Sequence, residues 1–387
     1  MAVLVATAPK YCSDLDFPKR NAYIAIMNPA SPSQSAVTGT PPATHRPFYL
    51  APLRGVTDVI YRRTYAEHFS GIDLAVAPFV TTHAGRRIKP AHIRDLQPEE
   101  NRKMPIVPQV LTKSAEDFIT LADHLFDMGY GIINLNCGCP FPQVANKGRG
   151  SGLLCAPDGL DRLLDTVLSH IPNRLSIKTR LGRHDAAEIR AVLPIFNRYP
   201  LESVIVHPRT GRQMYAGIPD LAAFEWCLAA CRHPVIYNGD ITDLAGFHQL
   251  ERRFEGVAGW MLGRGVLANP FLPGLLKNSP TIDAARKTDR FRQFHDVLLE
   301  RYRIRLSGPG HLLDRMKGLW KYFAQGFQDS ETARKRIHKA RSIEQYLDAV
   351  ATFLDGSLDW MPSSAPSPVP VAPPSAPRPD PQKPPEL

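Results

Sequence analysis

Short apolar runs recur from residue 48 to residue 264, each separated from the next by a longer stretch whose apolar positions repeat with helical spacing. The runs are FYLA (from 48), DLAVAPFV (73), IVPQV (106), GIINLN (131), LSIKTR (175), SVIVHP (203), PVIYNG (234) and GWMLGR (259). Continuous Val, Ile and Leu runs alternating with helical patterns predict parallel strands buried on both faces, in βα units. Eight such units predict an α/β fold of the (β/α)8 TIM-barrel type, with the chemistry at the C-terminal ends of the strands. A doubly wound sheet is the alternative that the same alternation permits. Between runs, SAEDFITLADHLFDMG (114–129) predicts a helix with Ser114 as N-cap and Gly129 as its stop.

After LANPFL (267–272) the pattern changes. From about 281 to 355 only helical periodicity remains, in DRFRQFHDVLLERYRIRL, HLLDRMKGLWKYFAQGF and SETARKRIHKARSIEQYLDAVATFL. These predict a small C-terminal helical bundle. Proline-rich segments mark both ends, at 28–47 and 362–387. Segments of that composition bury too little apolar surface to offset their ordering entropy. The expected organisation is a disordered extension over 1–46, a barrel over 47–280, a helical domain over 281–360 and a disordered tail over 361–387.

Composition narrows the partners. A chain of 387 residues, 43% hydrophobic, can bury a large core. Its 47 Lys+Arg against 37 Asp+Glu give a net charge of +10, which favours a polyanion such as RNA, DNA or an anionic membrane surface. The six cysteines, 12, 137, 139, 155, 227 and 231, are few for this length. With no secretory leader and no run near the roughly 18 apolar residues of a membrane span, the expectation is a reducing, cytoplasmic setting without a membrane partner.

Polar residues at the strand ends call for an explanation beyond folding. Lys178 is expected to end strand five, His207 strand six, Asn238 and Asp240 strand seven, and Gly263-Arg264-Gly265 strand eight. In a barrel they converge on one mouth, where loops after strands seven and eight commonly cradle phosphate. Turns also favour glycine, so the Gly-Arg-Gly alone decides little. No G-x-G-x-x-G opens a helix after a strand and no Walker A sequence is present, which disfavours a Rossmann-bound nicotinamide. FMN, with one phosphate, fits a barrel mouth better, and Lys178 beside it would stabilise the negative charge of the reduced ring. The plainer alternative for Lys178 is an outward-directed strand-end lysine. In NLNCGCP (134–140), Cys137 and Cys139 lack a second pair with metal-ligand spacing, so no metal is expected. Cys137 is expected to be buried and inert. Cys139, where the loop leaves the mouth, is placed to act as nucleophile or general acid.

Through these residues the chain resembles the flavin-dependent tRNA-dihydrouridine synthases. The matching segments are LAPLRGVTD, VPQVL, NLNCGCPFPQVANKGRGSGLL, IKTRLG, VHPRT, YNGDI and MLGRGVLANP, spanning Pro52 to Phe271, and the C-terminal helical extension also resembles the family. The double cysteine and RMKGLWKYF most resemble the bacterial subgroup acting on D-loop uridine 16. Two departures stand out: the family's P-M-E/A-G is PLRG here, and HGRT is HPRT.

The resemblance implies that Cys139 protonates C5 of uracil while reduced FMN delivers hydride to C6, with NADPH or NADH as reductant. It implies that Asn136 hydrogen-bonds the uracil and that Arg209 lies on the substrate side. Pro52, Leu53 and Arg54 would pass the flavin through their backbone, Gln109 and Lys178 would address its ring edge, and His207 would sit beside it. Asn238, Gly239, Asp240, Gly263 and Arg264 would take the ribityl and phosphate part. Basic segments of the bundle, with Arg315, Lys317, Arg334, Lys335 and Arg336, would contact the D-loop of tRNA, and a monomer is expected. Taken alone, each such segment is more often an ordinary solvated helix face. A flavin barrel acting on a free pyrimidine or enone, an enzyme acting on another structured RNA, and an RNA-binding module without catalysis remain open.

Overall fold

The structure, a computed structural model, describes residues 46–81, 88, 90–356 and 360. Of the disordered segments expected at 1–46 and 361–387, residues 1–45 and 361–387 lie outside the described residues. Ten parallel strands form one sheet: β1 (Phe48–Leu50), β2 (Leu74–Val76), β3 (Val80–Thr81), β4 (Ile106–Val107), β5 (Gln109–Leu111), β6 (Ile132–Cys137), β7 (Arg174–Gly182), β8 (Leu201–Thr210), β9 (Val235–Tyr237) and β10 (Gly259–Leu262). They fill eight barrel positions. Pro78 falls between β2 and β3, and Pro108 between β4 and β5. A proline gives no N–H to the ladder, so each of these two strands is recorded as two pieces. β1 pairs with both β2 and β10, β2 with β4, β3 with β5, and the ladder then runs from β5 through β10. The ring therefore closes on itself as the expected (β/α)8 barrel, which a doubly wound sheet with two open edges does not do.

One expectation about the strands is corrected. Lys178 and His207 do not end theirs, because β7 and β8 pair on through Arg180↔His207 and Gly182↔Thr210, with register shifts. The change from apolar to polar residues marks where the barrel interior opens, not where backbone pairing stops.

Helices follow the strands: α1 (Val59–His68), α2 (Ala115–Asp127), α3 (Pro157–Leu168), α4 (Ile189–Phe196), α5 (Leu221–Ala230), α6 (Leu244–Arg253) and the short α7 (Arg264–Ala268). The ends of α2 are those the sequence predicts. Ser114 accepts from the Asp117 N–H at 3.2 Å. Gly129 takes φ +94°, and the N–H groups of Gly129 and Tyr130 close on the carbonyls of Phe126 and Leu125 at 2.8 and 3.0 Å, a Schellman ending.

Among the described residues, four longer helices follow: α8 (Ala284–Arg305), α9 (Gly308–Phe323), α10 (Ser330–Lys339) and α11 (Ile343–Asp355). They share one hydrophobic core with the barrel. The Phe294 ring lies 5.8 Å from Tyr61 and 5.0 Å from Phe69, edge to face. Asp58, the N-cap of α1, accepts from the Tyr61 N–H at 3.0 Å and from the Tyr302 hydroxyl at 2.8 Å, and lies 3.5 Å from Arg315. Arg301 reaches Thr64 at 2.8 Å and Glu67 at 2.7 Å. The first βα loop and its helix thus receive much of the bundle, and α7, after the last strand, packs against α9 as well. No helix among the described residues is long and apolar enough to cross a membrane.

Because Phe294 joins the two parts of the core, Phe294→Ala should cost about 3–5 kcal/mol. Thermal unfolding should remain one transition at a lower Tm. A barrel that melts at an unchanged temperature, after the bundle, would contradict a shared core.

Candidate active site

The barrel mouth holds a cavity of about 890 Å³ of atom-free space, part of it open to solvent. It brings together Pro52, Leu53, Arg54, Asn136, Cys139, Lys178, His207, Asn238, Gly239, Asp240, Gly263 and Arg264, all singled out in the sequence. Loops after β1, β6, β9 and β10, the last residues of β6 and the strands β7 and β8 supply them, as a barrel's C-terminal face requires.

The conformation of the loop after β6 follows from one amide. The Asn136 side-chain oxygen accepts from the N–H of Gly138 at 3.1 Å and of Cys139 at 2.8 Å, turning the chain inward as the strand ends. The loop then returns: the N–H and hydroxyl of Ser151 both donate to the Cys139 carbonyl, each at 3.0 Å. Between them Gly150, at φ +57°, passes so close that a Cβ would lie 2.8 Å from the Cys139 Cβ. Gly152 is as tightly placed, since a Cβ there would meet the Ala145 carbonyl at 2.2 Å. The glycines and the small serine of NKGRGSG therefore hold Cys139 from behind. Cys137, two residues earlier, is a fully buried core side chain, and both are free thiols.

Burial and charge set the protonation states. Burial pushes the Cys139 thiol up, against the Phe141 N–H and the nearby Arg180, Arg54 and Lys178 charges, so it stays protonated at neutral pH. Burial brings the Lys178 amine down to about 7, and Arg180 adds to the shift. His207 is held well below its ordinary range by burial and by the charges of Arg180, Lys178, Arg209 and Arg264. It is neutral, and its Nε2 accepts from Arg209 at 3.2 Å. Asp240 is shared by two arginines, Arg209 (Nη1 at 3.1 Å) and Arg264 (Nη2 at 2.7 Å). Against this one carboxylate the wall carries Arg54, Lys178, Arg180 and Arg264, a set suited to anionic groups.

Several expected positions lie elsewhere. Gln109 is fully buried beneath the cavity and does not line it. Its amide donates to the Asn134 oxygen and accepts from the Asn136 amide, both at 2.8 Å. Arg209 is also fully buried and off the cavity wall; it holds His207, Asp240 and the Ala216 and Gly217 carbonyls. In the bundle, Arg315 binds Asp58 and the Gly55 carbonyl, and Lys317 the Ala340 carbonyl. Arg334 pairs with Glu331 at 2.9 Å and Arg336 with Asp348 at 4.0 Å, whereas Lys335 stands in solvent.

Among the wall residues that the sequence did not single out are Arg180 and Tyr215. Arg180 donates to the Gly138 and Thr210 carbonyls at 3.0 and 2.7 Å. Its two-residue spacing from Lys178 on one strand was the signal for it. Tyr215 lies between the guanidinium groups of Arg180 and Arg264, 5.6 and 5.0 Å from its ring. Tyr215 carried no comparable sequence signal, because it sits on an irregular loop.

Residues 49–355 match the family model described as "Dihydrouridine synthase (Dus)". A probable tRNA-dihydrouridine synthase of Rhodobacter capsulatus is 31% identical over 268 residues, 68% of this chain and 81% of that one. Probable tRNA-dihydrouridine synthase 2 of Bacillus subtilis is 27% identical over 328 residues, covering 80% of this chain and 96% of its own. Among solved structures, a histamine dehydrogenase from Rhizobium aligns at TM-score 0.48 and 11% identity over 61% of this chain and 46% of that one.

The depressed Lys178 predicts a pH effect of definite sign. Between about pH 7 and the ordinary lysine value of 10.5, the unfolded chain holds a proton at this position that the folded chain has lost. Stability of the ligand-free protein should therefore rise with pH across that window. Denaturant unfolding at stepped pH should show wild type gaining on Lys178→Met between pH 7 and 10. Parallel pH profiles would contradict the shift.

Proposed function

The chain belongs to the dihydrouridine synthase family, and from that premise we propose that it reduces the C5–C6 double bond of a uridine in tRNA, with FMN in the barrel mouth. The donor set fits this cofactor. Lys178, Arg180 and Arg264 answer an anionic ring and a phosphate, while Leu53, Phe79 and Ile241 offer apolar wall. Bound there, the flavin supplies hydride to C6 of uracil and is re-reduced by NADPH or NADH. Lys178 addresses the ring edge. The backbone of Pro52, Leu53 and Arg54 passes along the ring, and His207 sits beside it as a neutral imidazole. Asn238, Gly239, Asp240, Gly263 and Arg264 take the ribityl and phosphate part, with Arg209 holding Asp240 in place.

The observation that carries the reading is the position and state of Cys139. Cys139 lines the cation-rich cavity, and burial keeps its thiol protonated. It gives its proton to C5, and the Arg54, Lys178 and Arg180 charges stabilise the thiolate that remains until water reprotonates it. Asn136 spends its oxygen on two backbone amides and one Nδ2 hydrogen on Gln109, leaving one hydrogen for a uracil carbonyl. A base within folded tRNA must leave its stack to reach this depth. The helical region from 281 to 360 supports the RNA, with Lys335 and Arg336 the exposed cations among those expected there. The target is uridine 16 of the D-loop, and the setting is the cytoplasm.

Incubating the holoenzyme with unmodified tRNA transcripts and NADPH or NADH tests this. Dihydrouridine should appear at position 16, and free uridine should not be turned over. Reduction of free uridine with tRNA left untouched would replace this reading with a small-molecule reductase.

A further inference from the structure

Arg54 stands on the cavity rim, in the loop between β1 and α1, with its side chain exposed. Its guanidinium carbon lies 5.4 Å from the centroid of the Phe79 ring. No carboxylate and no hydrogen-bond acceptor engages it among the described residues. In this it differs from two neighbours, since Arg264 is tied to Asp240 and Arg180 to two backbone carbonyls. The loop that carries it is braced. The Thr57 hydroxyl accepts from the Leu53 N–H at 2.9 Å and donates to the Ala51 carbonyl at 3.0 Å. The Gly55 carbonyl is held by Arg315, and Asp58 by Tyr302 and Arg315. The result is a preorganised fork of donors on an aromatic face, at the entrance to the cavity that holds Cys139.

A uridine that enters this mouth as part of an RNA chain brings a phosphate on each side of its ribose, and those phosphates stay at the rim while the base goes in. We propose that the Arg54 side chain binds a backbone phosphate next to the extruded uridine. This rests on the RNA-uridine reading above and adds to it a contact made by the catalytic barrel rather than the helical bundle. A planar fork pairs with a phosphate through two parallel N–H···O bonds, which a lysine at the same place does not reproduce.

The test is equilibrium binding of tRNA to the oxidised holoenzyme, which has no electrons to transfer, across a range of salt concentrations. Arg54→Gln should weaken binding roughly tenfold, as for loss of a charge-assisted hydrogen bond. It should also make the slope of log affinity against log salt shallower by about 0.7–0.9, one phosphate contact. Arg54→Lys should recover the slope but not the full affinity. Arg174→Gln, at the opposite end of the barrel and paired with Glu202, should change neither. A slope unchanged by Arg54→Gln overturns the proposal, as does an equal change in Arg174→Gln, which would reflect overall charge. Loss of flavin with an unchanged slope would also overturn it, by assigning the side chain to the cofactor. A wild-type holoenzyme that fails to bind tRNA would overturn the underlying functional reading as well.

Discussion

The side-chain oxygen of Asn136 fixes the geometry on which the mouth depends. Two backbone N–H groups converge on it; without it the buried Cys139 N–H would be unpaired, at about 1–3 kcal/mol, and the half-buried Gly138 N–H would lose its partner. Its own amide is oriented by Gln109, Gln109 by Asn134, and the Asn134 amide donates to the Ser176 hydroxyl at 2.8 Å. These groups are buried across three adjacent strands, so each amide has one orientation that satisfies its neighbours. The network decides where Cys139 emerges. The small residues of the returning loop then keep it there.

The same burial that positions Cys139 also sets its chemistry. Removal from water favours the uncharged state of every titratable group, so it raises the thiol and lowers the amine of Lys178. Before reaction the two are an acid holding its proton and an amine close to losing its own at neutral pH. In the proposed reaction, proton delivery creates an anion beside Lys178 and Arg180, and the cost of separating those charges from water is offset locally. Arg209 supports this arrangement without reaching the cavity. It holds Asp240 toward Arg264 and keeps His207 an acceptor.

The barrel was legible because its strands are continuous apolar runs, and even its two interruptions were visible as prolines within DLAVAPFV and IVPQV. Most of the cavity wall was legible too, since polar residues just past an apolar run have one place to go in a barrel. Alternation along a strand was underused: Lys178 and Arg180 share a face, yet only the first stood out. Gln109 and Arg209 were assigned to ligands by resemblance, and the protein partners they also hold, Asn134 and Asn136 for Gln109 and His207 and Asp240 for Arg209, are revealed by no local pattern. The docking of the bundle was the least legible feature. It turns on Asp58 and Tyr302, 244 residues apart, and neither looks unusual in its own segment.

The central claim is that Cys139 is the proton donor, and it is tested most directly by reducing the holoenzyme with a nicotinamide and following its reoxidation by tRNA in a single turnover. Cys139→Ala should bind flavin and be reduced, yet be reoxidised by tRNA at least about 100-fold more slowly, the lower bound for loss of a general acid. Cys137→Ala, which removes a thiol from the core only, should be reoxidised at close to the wild-type rate. Equal rates in the two variants, whether both fast or both slow, would contradict the claim.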